Sequence, residues 1–487
     1  MRRLLALALL TSAPLASAPA LAQSSALQAG RAQPITAQER QQGSQANAGI
    51  VAEYGGALTG RQAAYVETVG RRIATQSGLS ATPTAFNVAL LNSPVDNAFA
   101  VPGGYVYVTR NLVALMNDEA ELAAVMGHEV AHVAARHSRS RQQTATRNSI
   151  LGALGQAIVG AVAGDSGLGG LLSRGIGAGA QLATLGFSRS QETQSDDLGI
   201  RYLATAGYDT AALSTMLASL ANQTQLQGRL AGEARTTPAW ASTHPDPASR
   251  IRRAEEQAQR AGGVGRARNR DAFLAAIDGM MYGEDPQQGV IEGRRFLHPA
   301  LGVSFDLPAG FTMQNGAQAV TISGTAAQGE FTTAPFSGDL GAYVGSVVQR
   351  LGGGSAPAAQ RTTVNGVPAA YIQLRGSSGS TQVDVTVFAY QLGPSQAVHF
   401  TTIAAAGRGA GGLDAAFTSL RRLSSTEAAA IRPRYVRVHT VRPGETVRTL
   451  AARMAYTDAP LERFLVLNRL DANAALQPGT KVKLIGY

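Results

Sequence analysis

Hydrophobic and polar residues follow two different periods along this chain of 487 residues. Residues 46–79 carry apolar positions at helical spacing, whereas short runs at 86–91 and 105–109 are rich in β-branched and aromatic residues, which favour strands. Asn117 and Asp118 are typical caps for the helical pattern that follows them. The first half of the chain therefore predicts helices around a small sheet.

Local signals define a further helix and then a change of pattern. Ser188, with Gln191 three residues later, forms a capping-box pattern, and Gly207 is a typical residue at the C-terminal end of a helix. From 296 to about 423 short strand patterns replace the helical ones, with one helix near 340–351. The predicted fold class is multidomain α+β: a mainly helical domain with a small sheet, an α+β module and a small terminal βααβ unit.

The segment 150–186 is rich in glycine, alanine and leucine. Its longest apolar part is about 14 residues, which is short of the roughly 20 that a bilayer span requires. Two interpretations stay open for this segment. It is either a buried helical hairpin or a lid that moves or touches a membrane.

The amino terminus has the layout of a secretory signal peptide. Two arginines precede an apolar stretch, and Ala20 and Ala22 provide the small side chains of an A-x-A cleavage site. Two prolines interrupt the stretch, which argues against a retained anchor, and the chain has no cysteine to carry a lipid. A soluble periplasmic or secreted protein is expected. The predicted division is a signal peptide (1–22), a flexible leader (23–45), a first domain (46–262), a linker (263–290), an α+β module (291–425) and a terminal module (436–487).

Composition excludes one class of partner. Hydrophobic residues make up 45% and charged residues 15% of the chain, which is enough apolar material for several packed cores. The formal net charge of +10 and the pI near 10.1 could indicate nucleic-acid binding. The basic residues are scattered arginines, however, and there is one tryptophan. Nucleic-acid binding asks for a concentrated basic patch, so no nucleic-acid partner is expected.

The motif HEVAH at 128–132 is the strongest candidate for chemistry. Residues four apart lie on one face of a helix, so His128 and His132 can hold one zinc ion. Glu129 then lies beside the metal and can take a proton from its water. The alternative is an ordinary amphipathic helix whose polar side chains face solvent.

A catalytic zinc site needs a third protein ligand. Glu192 is the candidate, because it lies on a separate predicted helix downstream of the motif. Asp196, one turn further along the same face, would accept a hydrogen bond from the free ring nitrogen of one histidine and so orient that ring. The expected chemistry is hydrolysis of a peptide bond, in which zinc activates water and polarises the carbonyl.

Four motifs occur in a fixed order: NAFA at 97–100, HEVAH at 128–132, ETQSD at 192–196 and THP at 243–245. Together, over about residues 46–260, they resemble the CAAX-prenyl-protease/HtpX-like zinc metallopeptidases, and within that family the periplasmic BepA-like branch. The resemblance implies a gluzincin fold with one zinc ion per chain. The family's ligands correspond here to His128, His132 and Glu192, with Asp196 completing the ExxxD motif.

Three further residues each have two interpretations. His244, before Pro245, is either part of a structural turn or, as the resemblance implies, a residue near the zinc. There it would stabilise the oxyanion or occupy the open coordination position and keep the enzyme latent. Arg250 either pairs with a site carboxylate or lies on the surface. His137 is too far along the chain from His132 to share its face, so it is a supporting or structural residue rather than a ligand.

Residues 97–109 are predicted to form an edge strand beside the cleft, and Asn97, Ala98, Phe99 and Ala100 are its candidate substrate-binding residues. A substrate would bind there as an added strand, through backbone hydrogen bonds that do not depend on its sequence. A hairpin that only packs against the helices is the alternative.

Residues 439–484 resemble a LysM module, with the order strand, helix, helix, strand and Pro-Gly at two turns. The resemblance implies peptidoglycan glycan as a candidate partner. Glu445 replaces the usual Asp, and Arg448 and Thr449 stand where an aromatic residue or Ser is common. A packing module is therefore the alternative.

These features predict a periplasmic zinc endopeptidase that cleaves misfolded or unassembled envelope proteins. Its candidate partners are those substrates, the glycan and the outer-membrane assembly machinery. One alternative is a chaperone-like or latched zinc protein that binds unfolded envelope proteins. Another is a peptidoglycan hydrolase, which is less favoured because zinc enzymes that cut cell-wall peptides generally use other ligand spacings. No catalytic constellation is evident in 291–425.

Overall fold

The computed structural model describes residues 32–137, 187–230, 240, 244, 247–351, 356–378 and 381–487. The predicted signal peptide and the apolar segment 150–186 lie outside this part of the chain. Within it, no helix is both long and apolar enough to cross a bilayer.

The first domain consists of helices packed around a three-stranded sheet. Its helices are α1 (Ala37–Glu53), α2 (Arg61–Ala74), α3 (Arg110–Leu115), α4 (Glu119–Ala134), α5 (Arg189–Ala206), α6 (Ala212–Leu230), α7 (Pro247–Ala261) and α8 (Arg270–Ile277). Its strands are β1 (Asn87–Leu91), β2 (Ala98–Val101) and β3 (Tyr105–Thr109), and a short β4 (Met281–Tyr282) follows α8. Strand β3 is central, parallel to β1 and antiparallel to β2, so β2 lies at an edge of this sheet. The prediction of an edge strand over 97–109 is therefore wrong for 105–109, because β3 pairs on both sides. The prediction of helices around a small sheet is confirmed.

The two helices that carry the predicted metal ligands begin at the predicted caps. The Asp118 side chain accepts a hydrogen bond from the Glu121 N–H at the start of α4. Ser188 and Gln191 form the reciprocal capping box at the start of α5. Gly207 ends α5 with φ at 83°, a left-handed conformation that glycine adopts without steric cost.

Two glycines let α4 and α5 approach each other closely. Gly127 on α4 lies against Gly199 on α5, and a Cβ atom added at Gly199 would lie 3.2 Å from the His128 backbone nitrogen. Because Gly199 has no side chain, the backbone of α5 passes directly beside the first motif histidine. This close contact brings Glu192 within reach of the motif.

The second domain is antiparallel β-structure with a few helices. Its elements are β5 (Val290–Glu292), β6 (Arg295–His298), β7 (Val303–Asp306), β8 (Phe311–Asn315), β9 (Ala319–Gly324), β10 (Ala327–Thr333), α9 (Leu340–Arg350), β11 (Gln360–Val364), β12 (Val367–Ser378), β13 (Thr381–Gly393), β14 (Gln396–Ala405), α10 (Asp414–Ser419), β15 (Arg421–Arg422) and α11 (Ser425–Ala430). The sheet orders are β15-β7-β6-β5 and β11-β12-β13-β14-β10-β9-β8. Apolar side chains of α9 pack on one face of the larger sheet, and those of α10 belong to the core on the other.

The terminal unit, residues 434–486, is called the LysM unit here. It contains β16 (Arg434–Thr440), α12 (Val447–Ala451), α13 (Pro460–Asn468) and β17 (Lys481–Gly486). This is the predicted order of strand, helix, helix and strand. Strand β16 pairs with both β17 and β4.

The LysM unit packs into the first domain. Phe464 on α13 is fully buried and belongs to the same hydrophobic core as the apolar residues of α4. Lys483 on β17 is also fully buried, and its Nζ donates to the carbonyl oxygen of Ala114 at 2.7 Å, at the end of α3. Arg469 forms an ion pair with Glu121 on α4. The unit is therefore a fixed part of the fold around the motif helix.

Residues 263–290, predicted to be a linker, are instead part of the folded structure, which corrects that boundary. Phe273 and Ile277 of α8 are buried in the core of the first domain, and β4 pairs with the LysM unit. The polar, arginine-rich residues 254–270 have a composition typical of a domain edge, and the linker was predicted on that basis. Helix α8 is nevertheless part of the first domain, because its apolar side chains pack against α2 and α4.

Residues 37–45, predicted to belong to a flexible leader, form the first half of α1, which is a second correction. Thr36 and Glu39 make a reciprocal capping box at its start. Glu39 also forms an ion pair with Arg136 at 3.0 Å, just beyond the end of α4. The sequence did not predict this helix, because its Gln- and Ala-rich composition gives almost no apolar periodicity.

Candidate metal centre

Helix α4 carries both motif histidines and the intervening glutamate into a buried centre. The Nε2 atoms of His128 and His132 lie 3.0 Å apart. The exposed fractions of His128, Glu129 and His132 are 1%, 1% and 2%. The alternative of a solvent-facing amphipathic helix is therefore excluded.

Helix α5 and His244, which lies three residues before α7, supply two further donors. The carboxylate oxygens of Glu192 lie 3.4 Å from His132 Nε2 and 3.6 Å from His128 Nε2. His244 Nδ1 lies 3.2 Å from His128 Nε2 and 3.0 Å from Glu192 Oε1. One donor atom from each of these four side chains falls within 4.8 Å of all the others.

The chemistry of this donor set fits a zinc ion. Imidazole nitrogens and a carboxylate oxygen are usual zinc ligands, and here they converge on one point in a buried place. A bound cation would satisfy lone pairs that otherwise face one another. His128, His132 and Glu192 would hold the ion, and His244 offers a fourth donor.

The outward ring nitrogens of the two motif histidines also face polar groups. His128 Nδ1 lies 3.0 Å from Asp196 Oδ1. His132 Nδ1 lies 2.9 Å from His137 Nδ1, and His137 Nε2 lies 2.9 Å from Gln194 Oε1. These contacts turn both Nε2 atoms toward the centre, so the structure places Asp196 and His137 where supporting residues were predicted.

Arg250 on α7 joins the two carboxylates of α5. Its Nε donates to Asp196 Oδ2 at 2.8 Å, and its NH1 group contacts Glu192. The side chain is 7% exposed, so the surface interpretation of Arg250 is excluded. Since the guanidinium is always charged, it offsets the negative charge of two neighbouring buried carboxylates.

The electrostatic environment shifts the pKa of Glu129 in the opposite direction from the pKa values of Glu192 and Asp196. Burial alone would raise the pKa of Glu192, but the charge and hydrogen bonds of the surrounding histidines hold it well below its usual range. Burial also opposes ionisation of Asp196, and Arg250 lowers its pKa. For Glu129 burial prevails and raises the pKa. That direction suits a group that accepts a proton near neutral pH.

Two aromatic residues that no sequence motif indicated flank the histidines. The Trp240 ring stacks on the His244 ring, with the centroids 4.6 Å apart and the planes at 16°. The Phe187 ring stacks on that of His132, with the centroids 3.6 Å apart. The available signals were weak: Trp240 is the single tryptophan and lies four residues before His244, and Phe187 directly precedes a helix cap.

The residues predicted to bind substrate keep their side chains within the fold. Asn97 donates to the Tyr54 hydroxyl at 3.0 Å, Phe99 stacks on Tyr107, and Ala98 is fully buried. Among the residues that the structure describes, β2 pairs along one side only, with β3. An added strand uses that kind of edge.

Replacing Arg250 with glutamine is expected to weaken zinc binding about 10- to 100-fold. The neutral side chain leaves Glu192 and Asp196 as adjacent buried charges without their cation, so the carboxylates no longer hold their positions. Competition with a chromogenic chelator measures the change in zinc affinity.

Arg253 provides a matched control for Arg250. It makes the same kind of two-pronged contact with Asp197, on the same two helices, but both side chains are more than a third exposed. Exposed ion pairs contribute little, so Arg253→Gln is expected to change the affinity less than about twofold. Equal losses in the two variants would mean that Arg250 acts only by joining α5 to α7.

The fold and the site together define a class of protein. A helix with the HExxH motif, a neighbouring helix that supplies a glutamate and a small sheet beside them make up a metallopeptidase domain. Residues 60–258 match the family described as "Peptidase family M48", and residues 439–484 match the LysM domain. The chain thus contains an M48 peptidase domain and a LysM domain, which confirms both resemblances drawn from its motifs.

Named relatives agree with this class. The beta-barrel assembly-enhancing protease of Yersinia pestis is 31% identical over 225 residues, which are 45% of this chain and 44% of the relative. The protein of the same name from Escherichia coli K12 is 30% identical over 43% of this chain and 42% of the relative. The mitochondrial metalloendopeptidase OMA1 of Schizosaccharomyces pombe is 33% identical over 39% of this chain and 52% of the relative. The chain spans less than half the length of the first two relatives.

Proposed function

We propose that this chain is a zinc-dependent endopeptidase of the bacterial periplasm that cleaves misfolded or unassembled envelope proteins. The observation that carries the proposal is the buried group of His128, His132 and Glu192 with Glu129 on the same turn of α4. A zinc site that serves stability alone needs no buried base beside its ligands. The family match of residues 60–258 supports the peptidase class.

Each residue of the centre has a defined part in hydrolysis. Zinc, when bound, lowers the pKa of water and polarises the substrate carbonyl. Glu129 accepts the proton of the attacking water and then donates it to the leaving amine. Asp196 and His137 keep the rings of His128 and His132 turned toward the centre.

His244 holds the centre in a latent arrangement, and we call it the latch. Its Nδ1 atom faces the ligand group, and its Nε2 atom lies 3.4 Å from Glu129 Oε1. The ring therefore fills the space between the ligands and the base, where the attacking water has to lie. Hydrolysis requires the latch to move. The alternative role predicted for His244, oxyanion stabilisation, requires the ring to lie elsewhere than in this position.

The backbone edge of β2 suits unfolded segments as substrates. Pairing along it needs an extended chain and no particular side chains. The name of the Yersinia and Escherichia relatives links them to β-barrel assembly, which supports envelope proteins as substrates and the assembly machinery as a partner. The N-terminal sequence pattern supports the periplasm, and the LysM match supports peptidoglycan glycan as a ligand.

A chaperone-like zinc protein that binds unfolded envelope proteins is the second candidate. The position of the latch favours it, because a permanently latched centre would bind chains without cutting them. Peptidoglycan hydrolysis ranks third, since only the LysM unit favours it.

One experiment separates the three functions. The zinc-loaded chain without its signal peptide is incubated with an unfolded protein and with cell-wall sacculi, before and after a chelator removes the metal. We expect cleavage of the unfolded protein that is lost with the metal and restored by zinc. Products from sacculi alone would establish the hydrolase, and binding of the unfolded protein without cleavage would establish the chaperone-like protein.

A further inference from the structure

Trp240 contacts the latch His244, the proposed base Glu129 and the segment that leads into β2, whose outer edge we call the substrate edge. Its side chain is 2% exposed. Its indole stacks on the His244 ring, and its Nε1 donates to Glu129 Oε1 at 3.4 Å. The guanidinium carbon of Arg250 lies 5.5 Å from its ring centroid. One side chain therefore supports the latch and contacts the base.

The main chain of Trp240 links the latch to the sheet. The Trp240 N–H donates to the Asp96 carbonyl oxygen at 3.0 Å, and the His244 N–H donates to the Trp240 carbonyl oxygen at 2.8 Å. Asp96 is itself fixed, because its buried carboxylate accepts from Asn111 at 2.6 Å and from Gln223 at 3.2 Å. Asp96 lies two residues before β2, so the latch is tied to the start of the substrate edge.

We propose that Trp240 is the positioning residue of the latch, and that a substrate strand which pairs along β2 displaces Trp240 and with it His244. This inference rests on the proposed function and adds the agent that releases the latch. The indole holds the imidazole among the metal ligands only while the Trp240 N–H stays bonded to Asp96.

Release by substrate follows from an exchange of hydrogen bonds. A strand that pairs along β2 toward Asp96 competes with the Trp240 N–H for the Asp96 carbonyl. One backbone hydrogen bond replaces another, so the exchange itself is nearly neutral. Once Trp240 moves, His244 loses both its stacking partner and the carbonyl that anchors its N–H. The site then opens only when a substrate is in place.

The test uses cobalt(II) in place of zinc in the full chain, because its visible absorption reports the ligand set without any need for catalysis. Wild type is compared with His244→Ala, Trp240→Leu and Trp240→Phe. We expect Trp240→Leu to give the spectrum of His244→Ala and to release cobalt to a chelator about tenfold faster than wild type. Trp240→Phe keeps a stacking ring and is expected to keep the wild-type spectrum.

The outcomes separate this inference from the proposed function. A Trp240→Leu spectrum equal to that of wild type, beside a different one for His244→Ala, overturns the role of Trp240 and leaves the peptidase standing. Equal spectra for wild type and His244→Ala overturn the latch and this inference. A wild-type chain that binds neither cobalt nor zinc overturns the proposed function and this inference together.

A second measurement needs no Trp240 variant and so does not depend on how those variants fold. Trp240 is the single tryptophan, so the tryptophan emission of wild type reports this one position. Adding an extended unfolded peptide to the cobalt-loaded chain is expected to shift the emission to longer wavelength and to change the cobalt spectrum at the same peptide concentration. Cleavage of the peptide with neither change would overturn release by substrate.

Discussion

Glu129→Gln is expected to lower the rate of peptide hydrolysis at least about a hundredfold while zinc stays bound. Glutamine has the shape of glutamate but cannot accept the proton of the attacking water. His128, His132 and Glu192 are unchanged, so the metal site keeps its ligands. The measurement is kcat/KM on an unfolded protein, together with the zinc content of the same preparation.

Glu119→Gln is the matched control for this change. Glu119 lies on the same helix and is 8% exposed, but it is more than two turns from Glu129 and accepts a hydrogen bond from the Tyr208 hydroxyl at 2.7 Å. We expect its folded fraction to hydrolyse substrate within about twofold of wild type. Wild-type hydrolysis by Glu129→Gln would remove Glu129 from the mechanism.

Phe464→Ala, in the LysM unit, is expected to destabilise the peptidase domain by about 3 to 5 kcal/mol. Phe464 is fully buried in a core shared by the LysM unit and the first domain, so its removal leaves a cavity in both. Trp240 lies in the peptidase domain, at the metal centre. Urea unfolding followed by tryptophan emission therefore measures the stability of that domain.

Arg448→Ala is the control within the same unit. Arg448 is exposed on α12, and a surface substitution of this kind changes stability by about 0.5 kcal/mol or less. If Phe464→Ala left the unfolding of the Trp240 region unchanged, the LysM unit would fold as a separate module. The shared core would then contribute nothing to the stability of the metal centre.

Because the LysM unit is fixed to the peptidase domain, a glycan bound to the unit would also restrict the peptidase domain. Its contacts with the peptidase domain pass through β4, the end of α3 and Glu121, which is on the helix that carries the motif. A glycan bound to this unit would hold the peptidase in one orientation relative to the cell wall. A flexible tether would leave that orientation free.

The elements that carry the site were predictable because their signals are local. HEVAH, the capping box at Ser188 and the glycine at 207 each depend on residues within one or two helical turns of one another. Glu192 was predicted to be the third ligand because a catalytic zinc site requires one and because Glu192 and Asp196 form a suitable acidic pair on a predicted helix. The roles of these residues in catalysis stay predictions.

Other features depend on contacts between distant residues. No local pattern indicates Trp240, because its contacts with Glu129 and Asp96 span more than a hundred positions. Local patterns also predict a linker over 263–290, because the apolar side chains of α8 are recognisable as core residues only from their tertiary contacts. No local pattern indicated that Lys483 would be buried at the end of α3.

The sequence by itself determined the types of the candidate ligands, the spacing of the two histidines and the ends of α4 and α5. These follow from helical periodicity and from hydrogen bonds between near neighbours. Only the tertiary structure decided that Gly199 lets the two helices approach each other closely and that the LysM unit shares the core of the peptidase domain. It also decided that His244 lies between the candidate ligand Glu192 and the candidate base Glu129. Each of these depends on the mutual packing of segments far apart in the chain, which near-neighbour patterns do not specify.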